Sequence, residues 1–450
     1  MRNFLMDKPA GQFIKGISLI TVVYLFPLPA GAQQNSDSLL QQATLQNVVQ
    51  YAINHQPLIQ QSLLDEQITE TLIKSKLADW YPQLDFKYNL QHNFQLQQAI
   101  IGGNVIKFGV DNTSNAQIAL SQNIFNRDVL LASRTKDVVR ESVKQTTTAN
   151  KIDVAANVSK AFYDVLATMQ QIKVADEGIV RLDRSLKDAY ARYNSGIADK
   201  TDYKRATIAL NNSKAAKKAN EAILKAKLQY LESLINYPAG NQLNIVYDSL
   251  QMEKEMMLDT LQNPDYTKRI EYQLLTTQKK LQEADLKYNK WAYVPSVSAS
   301  GAYNFNYQND AFSKLYNQNF PNSYAGISLS VPIFQGGKRK FNIQQQELKL
   351  KRIDWDIINL RQNIRAQYAQ ALAAYKSNFA NYQALKENVD LAKEVYDIIQ
   401  LQYKAGVKTY LEVVAAETDL NTAKINYYNA LYELLASRID VEKSLGQINY

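Results

Sequence analysis

From Lys338 to Ala405 the chain runs for 68 residues without a glycine or proline, closed by Gly337 before and Gly406 after. Inside this stretch Tyr368, Tyr375, Tyr382, Val389, Tyr396 and Tyr403 recur at every seventh position. A second row of Ile343, Leu350, Ile357, Ile364, Ala371, Asn378, Leu385, Ala392 and Ile399 does the same and turns polar only at Asn378. A sevenfold apolar repeat keeps one face of a helix turned toward a partner over many turns. At about 1.5 Å per residue such a helix is roughly 100 Å long. No compact domain holds it, so the spacing predicts a rod lying against similar rods.

Those rods are supplied by an internal duplication. Moving back 210 residues from the Tyr/Val row lands on Val158, Val165, Ile172, Ile179, Leu186 and Tyr193, all apolar or aromatic. The same shift maps Tyr403-Lys404-Ala405-Gly406 onto Tyr193-Asn194-Ser195-Gly196 and Glu412 onto Asp202. Ile333-Phe334-Gln335 matches Ile124-Phe125-Asn126, and Tyr293 with Pro295 matches Tyr81-Pro82, at slightly different offsets. Each half therefore reads as helix, extended segment, loop, extended segment, very long helix, turn and return helix. In the first half, helices are expected near Leu45–Ile53, on to Trp80, over Arg127–Asn194 with one interruption at Gly178, and over Thr201–Tyr237. The second half repeats the plan from Pro264 to Ser444, after a connector with a short strand expected at Leu243–Tyr247. The expected division is a signal at 1–32, a first repeat at 33–237, a connector at 238–263 and a second repeat at 264–450.

The extended segments alternate apolar with small polar residues. Leu84, Phe86, Tyr88 and Leu90 share one face of the first, against Gln83, Asp85, Lys87 and Asn89. Ala116, Ile118 and Leu120 alternate in the second, Val297, Ala299, Gly301, Tyr303, Phe305 and Tyr307 in the third, and Ile327, Leu329, Val331 and Ile333 in the fourth. Period two over about ten residues is the pattern of a membrane strand with lipid on one side and water on the other. A soluble sandwich would give the same alternation, but it has no place for helices of this length. Gly102, Gly103 and Gly109 mark a loop between the first two strands.

The N-terminus agrees with an envelope location. Arg2, Lys8 and Lys15 lead an apolar core from Gly16 to Leu28, followed by Ala30-Gly31-Ala32, the pattern of a cleaved export signal. The core is short for a membrane anchor, and residue 33 is Gln, so a lipid-modified cysteine is not indicated. The formal charge of +8 falls to +6 once residues 1–32, with three basic residues and one acid, are removed. No basic block or nucleic-acid motif accompanies it.

Catalytic and cofactor chemistry find little material. There is no cysteine, and His55 and His92 are the only histidines, so no His-rich metal site or thiol nucleophile is available. No phosphate-binding glycine loop occurs, which puts any energy source in a partner. Met252, Met256 and Met257 cluster in the connector without forming a track.

Four strands cannot close a membrane pore, because open edges leave backbone groups unpaired in hydrocarbon and known barrels need at least about eight strands. The chain must therefore assemble. The duplicated plan, the Pro82 and Pro295 entries to the strands, Val331-Pro332-Ile333-Phe334 followed by Gly336-Gly337, and the paired Tyr-x-x-Gly turns with Asp202 and Glu412 resemble the TolC family. These are the outer-membrane factors of tripartite efflux pumps and type I secretion systems. The resemblance implies a mainly α protein with membrane β: a homotrimer with a 12-stranded β-barrel on a long α-helical barrel, without cofactor or enzymatic activity. It implies a periplasmic adaptor protein and an inner-membrane pump as partners, and the outer-membrane bilayer as surroundings.

It further implies a periplasmic gate at the hairpin turns Gly196 and Gly406, where Tyr403 holds Asp202, with Thr201 beside it and Lys408 joining. Two acids three residues apart are expected to narrow the aperture; here Glu412 fills the first position but Ala415 the second. Tyr193 and Gly196 repeat the turn in the first half, where Arg205 stands at the place of Ala415. A wide porin would need more strands per chain. A purely structural coiled coil would not need the alternating segments.

Overall fold

A computed structural model describes residues 40–246, 252 and 256–450. The expected signal at 1–32 lies outside these residues. Helices α1 (Leu45–His55) and α2 (Pro57–Ala78) lead into β1 (Gln83–His92), β2 (Gln97–Ile101), β3 (Asn104–Phe108) and β4 (Asn112–Phe125). The long helix α3 (Arg127–Asn194) and its return α4 (Lys200–Ile235) complete the first half. The second half has α5 (Ile270–Lys290), β5 (Ser296–Asn309), β6 (Asn322–Ser330), the long α6 (Lys338–Lys404) and α7 (Tyr410–Leu445). A short 3-10 turn, Tyr266–Lys268, precedes α5, so the helix expected from Pro264 starts later.

Helix α3 is the inner member of the helical layer, packing against α2 and α5 in its first part and α4 and α7 in its second; α6 packs on α5 and α7. Both predicted sevenfold rows face these neighbours. Val158 and Val165 on α3 and Tyr368, Tyr375 and Tyr382 on α6 are buried. Two of these tyrosines end in hydrogen bonds where the seam reaches the connector: the Tyr368 hydroxyl donates to the Gln262 carbonyl and the Tyr375 hydroxyl to that of Met256.

The return helices stop halfway, and the entry helices resume their line. At the first joint, Asn236 takes the left-handed conformation that ends α4 (φ +55°), and its side-chain amide donates to the His55 carbonyl at 3.1 Å. The Gln56 side chain caps α2, with Pro57 at the first helical position, where a missing N–H is harmless. At the second joint Gly446 ends α7 at φ +71° against the backbone of Lys268, and buried Arg269 donates to the Ser444 carbonyl, to Glu271 and to Gln367.

The four alternating segments form one antiparallel sheet in the order β1-β4-β5-β6. Its register pairs Leu84 with Leu120, Phe86 with Ile118, Ile118 with Tyr303, and Leu329 with Val297. Directly opposed residues share a face, so Leu84, Phe86, Tyr88, Ile118, Leu120, Tyr303, Phe305, Ile327 and Leu329 lie together as predicted. The other face carries Asn115 bonded to Asn306, and Asn304 bonded to Asn322.

Four expectations need correction. Helix α3 runs unbroken through Gly178, where the sequence predicts an interruption. The loop around Gly102 and Gly103 is a hairpin, β2–β3, turned by these two glycines at φ +60° and +87°. The fourth strand ends at Ser330, ahead of Pro332, so Val331 and Ile333 lie beyond it. The strand expected at Leu243–Tyr247 is a single parallel bridge between Ala43 and Ile245, and Tyr247 lies outside the described residues.

Candidate functional site

The ends of the two helical hairpins are built alike. In the first, the Gly196 N–H donates to the Tyr193 carbonyl at 3.0 Å and the Ile197 N–H to that of Arg192 at 2.9 Å. In the second, Gly406 donates to Tyr403 at 3.0 Å and Val407 to Gln402 at 2.9 Å. Gly196 and Gly406 sit at φ +72° and +80° with no atom within 4 Å of a would-be Cβ, so backbone conformation alone selects glycine. Asp199 caps the following helix, accepting the Thr201 N–H at 2.7 Å.

Four helices meet just inside these turns. Tyr403 of α6 packs with Ala189 of α3, Ala206 of α4, and Tyr410 and Val413 of α7. The Tyr403 and Tyr410 rings meet edge to face at 5.7 Å, and the Arg192 guanidinium covers Tyr403 at 4.7 Å from its centre. Burial raises the Tyr403 phenol above its ordinary pKa, opposed by Arg192 and reinforced by the nearby charge of Asp202. Burial also pushes Tyr410 up to about 12. Both therefore remain neutral across the physiological range.

The expected latch residues come together only in part. Asp202 lies near enough to act on Tyr403 electrostatically, but the Tyr403 hydroxyl is buried without a hydrogen-bond partner among the described residues. Lys408 is engaged within its own hairpin, its ammonium 2.6 Å from Glu412 Oε1. Glu412 Oε2 accepts the Thr409 N–H at 2.9 Å, closing the start of α7. Tyr193 packs on Tyr203, ring centres 5.1 Å apart, and stays outside the apolar knot.

Glu412 is held down to about 2, first by Lys408 and then by the Thr409 N–H. A carboxylate with a depressed folded pKa contributes its stabilisation above the unfolded value of about 4.3, and that contribution fades as pH falls toward 2. With ¹³C-labelled glutamate, the Glu412 carboxyl is expected to titrate near pH 2 and to move up toward the ordinary value in Lys408→Met. An unchanged titration in that variant refutes the pairing.

A second polar cluster, about four turns up α3, carries no recognisable motif. Arg181 reaches Glu417 of α7 with Nε 3.0 Å from both carboxylate oxygens, and its Nη2 donates to Asn421 at 2.9 Å. Asn421 in turn donates to Glu417 at 2.9 Å, and Lys424 reaches Glu177 at 2.7 Å. Gly178 allows this approach, since a Cβ there would stand 3.0 Å from the Asn421 amide. Two signals were available in the sequence: Glu417 after the run Val413-Val414-Ala415-Ala416, and the lone glycine of a 68-residue helix.

The sequence profile of the outer membrane efflux proteins matches residues 48–236 and 274–447. The chain belongs to the outer membrane efflux protein family. Among relatives, the outer membrane protein TolC of Escherichia coli (strain K12) is 22% identical over 450 residues, 94% of this chain and 87% of its own. The outer membrane protein OprJ of Pseudomonas aeruginosa is 21% identical, covering 91% and 85%. The MtrE outer membrane channel of Neisseria gonorrhoeae, solved in an open state, superposes with a TM-score of 0.70 at 19% identity, covering 89% and 88%.

This efflux protein is thus a TolC-type channel-tunnel of the outer membrane, mainly α with a β part, giving exported substrates a passive exit from tripartite pumps or type I secretion systems. The apolar sheet face is open on the single chain, with Leu84, Phe86, Ile327 and Leu329 each more than 60% exposed. The protein lies in the outer membrane and extends into the periplasm, and the hairpin turns stand at the end of the helical layer remote from the sheet.

Proposed function

We propose that three copies of this chain close one duct, a 12-stranded β-barrel above a helical barrel. The observation that supports this is a pair of open edges on each copy. Strands β1 and β6 each have a single neighbour in the sheet, and backbone groups on a free edge cannot stay unpaired in lipid. The helices match: Leu58, Leu64, Ile68 and Leu72 are exposed on α2, which joins β1, and Phe341, Leu348, Trp355 and Ile358 on α6, which follows β6. Complementary edges at opposite ends of a protomer generate a head-to-tail ring. Four strands per copy make three copies the arrangement above the barrel minimum that the family's plan supports.

The duct itself performs no catalysis. A periplasmic adaptor protein docks at the helical end and links it to an inner-membrane pump. The chain divides into repeats at 33–237 and 264–450 about the connector 238–263, a reading supported by the two separately matched segments. The purified protein is expected to run as a heat-sensitive trimer, with native mass three times that of the chain. A monomer that closes its own pore overturns this assembly.

The gate is assigned to Tyr403, Asp202, Thr201, Lys408 and Glu412, between the turns at Tyr193-Gly196 and Gly406. Tyr403 locks the two hairpins of a copy together by filling the apolar knot. Lys408 and Glu412 form a charged ring at the aperture, contributing one carboxylate per copy where Ala415 removes a second. Replacing Tyr403 with alanine and Lys408 with methionine together is expected to raise single-channel conductance in planar bilayers. Conductance equal to the parent's rules out this gate.

A further inference from the structure

The β2–β3 hairpin projects from the end of the sheet opposite the helices. Its stem is fixed: the Asn93 N–H donates to the Asp111 carbonyl at 2.7 Å, and the Asn93 amide to that of Val110 at 2.9 Å. Past this stem, Phe94 is 92% exposed, Ile100 75% and Val105 63%, with Ile101, Ile106 and Phe108 also exposed. Lys107 is the only charged residue between Gln97 and Phe108. The register places Ile101, Ile106 and Phe108 on one face and Ile100 with Val105 on the other, so the tip is apolar on both sides.

Exposed apolar clusters of this kind mark interaction sites. Lipid is a poor occupant, because a two-stranded ribbon immersed in hydrocarbon leaves both outer backbone edges unpaired. A second copy of the chain meets the requirements. The hairpin springs from β1, the edge strand at the seam between copies, and a ring gives it two neighbours, one for each apolar face.

We propose that the β2–β3 hairpins of adjacent copies pack on one another through Ile100, Ile101, Val105 and Ile106 and form an apolar collar at the outer end of the channel. This rests on the trimeric reading. An apolar constriction resists ion passage by shedding water, so the collar is a second barrier, independent of the hairpin turns at the other end.

The absence of native cysteine makes the test direct. In the full-length protein, the double variant Ile101→Cys with Val105→Cys supplies one thiol on each face of the hairpin, to be oxidised with copper phenanthroline in liposomes, while native mass measurement reports the assembly. Covalent dimers within an intact trimer, together with raised single-channel conductance in I100D/V105D, are the expected result. Intact trimers that do not cross-link, label fully with a membrane-impermeant maleimide and keep parental conductance in I100D/V105D overturn the collar alone. A protein with no trimer in any variant overturns the assembly and the collar together.

Discussion

Glu417→Ala is expected to destabilise the helical layer by about 3–5 kcal/mol, the range for breaking a buried ion pair by removing one partner. Glu417 keeps 4% of its side-chain exposure, while Arg181 keeps 22%, so some solvation of the stranded guanidinium places the loss toward the lower end. The alanine also removes the acceptor of the Asn421 amide N–H, leaving Asn421 only the bond that its oxygen accepts from Arg181. Arg181→Met leaves a buried carboxylate and is expected to cost at least as much. The double replacement Arg181→Met with Glu417→Leu removes both charges and is expected to recover most of the loss, since apolar substitution of a whole buried pair is often neutral. Thermal melts by circular dichroism, at matched protein concentration because assembly couples to stability, complete this double-mutant cycle. A loss below about 1 kcal/mol in both single variants would mean that the cluster contributes no more than an exposed pair.

Gly446→Ala is the second large effect, expected at about 2–5 kcal/mol. Two penalties coincide there. A non-glycine residue in the left-handed region costs about 1–2 kcal/mol, and overpacking about 1–3 kcal/mol. The built Cβ would lie 2.8 Å from the Lys268 carbonyl oxygen and 3.0 Å from its carbon, both backbone atoms that cannot swing aside. Any shift of that backbone also disturbs Arg269, whose Nη1 donates to the Ser444 carbonyl at 3.1 Å. Gly406→Ala is the internal control: it has a similar φ of +80° but open space around the Cβ, so only the conformational penalty applies. Equal melting shifts for the two variants would remove the close-approach argument.

The long helices were legible because their signal is redundant. A sevenfold row repeated at a 210-residue offset fixed Arg127–Asn194 as a helix, and Gly337 and Gly406 bracketed its counterpart. The sheet face was legible for the same reason, since Leu84, Phe86, Ile327 and Leu329 obey a period of two. The β2–β3 hairpin was not. Gly102-Gly103 is a strong hairpin turn, but Ala99-Ile100-Ile101 and Val105-Ile106 are apolar on both faces and do not alternate. At the candidate gate, the turns followed from Tyr-x-x-Gly, whereas the partner of Lys408 was set locally: Glu412 in the first turn of α7 folds back on the residues just ahead of the helix. The contact between Arg181 and Glu417 spans 236 positions and depends on which helices become neighbours. No local pattern encodes that.

The two interrupted helical lines each break at a bonded joint, one beside His55 and the other beside Gly446, while α3 and α6 pass through unbroken. Each copy is thus a lapped timber, spliced at its waist and carried across the splice by two continuous members. A load along the helical layer crosses each splice on those members and on the bonds made by Asn236 and Arg269.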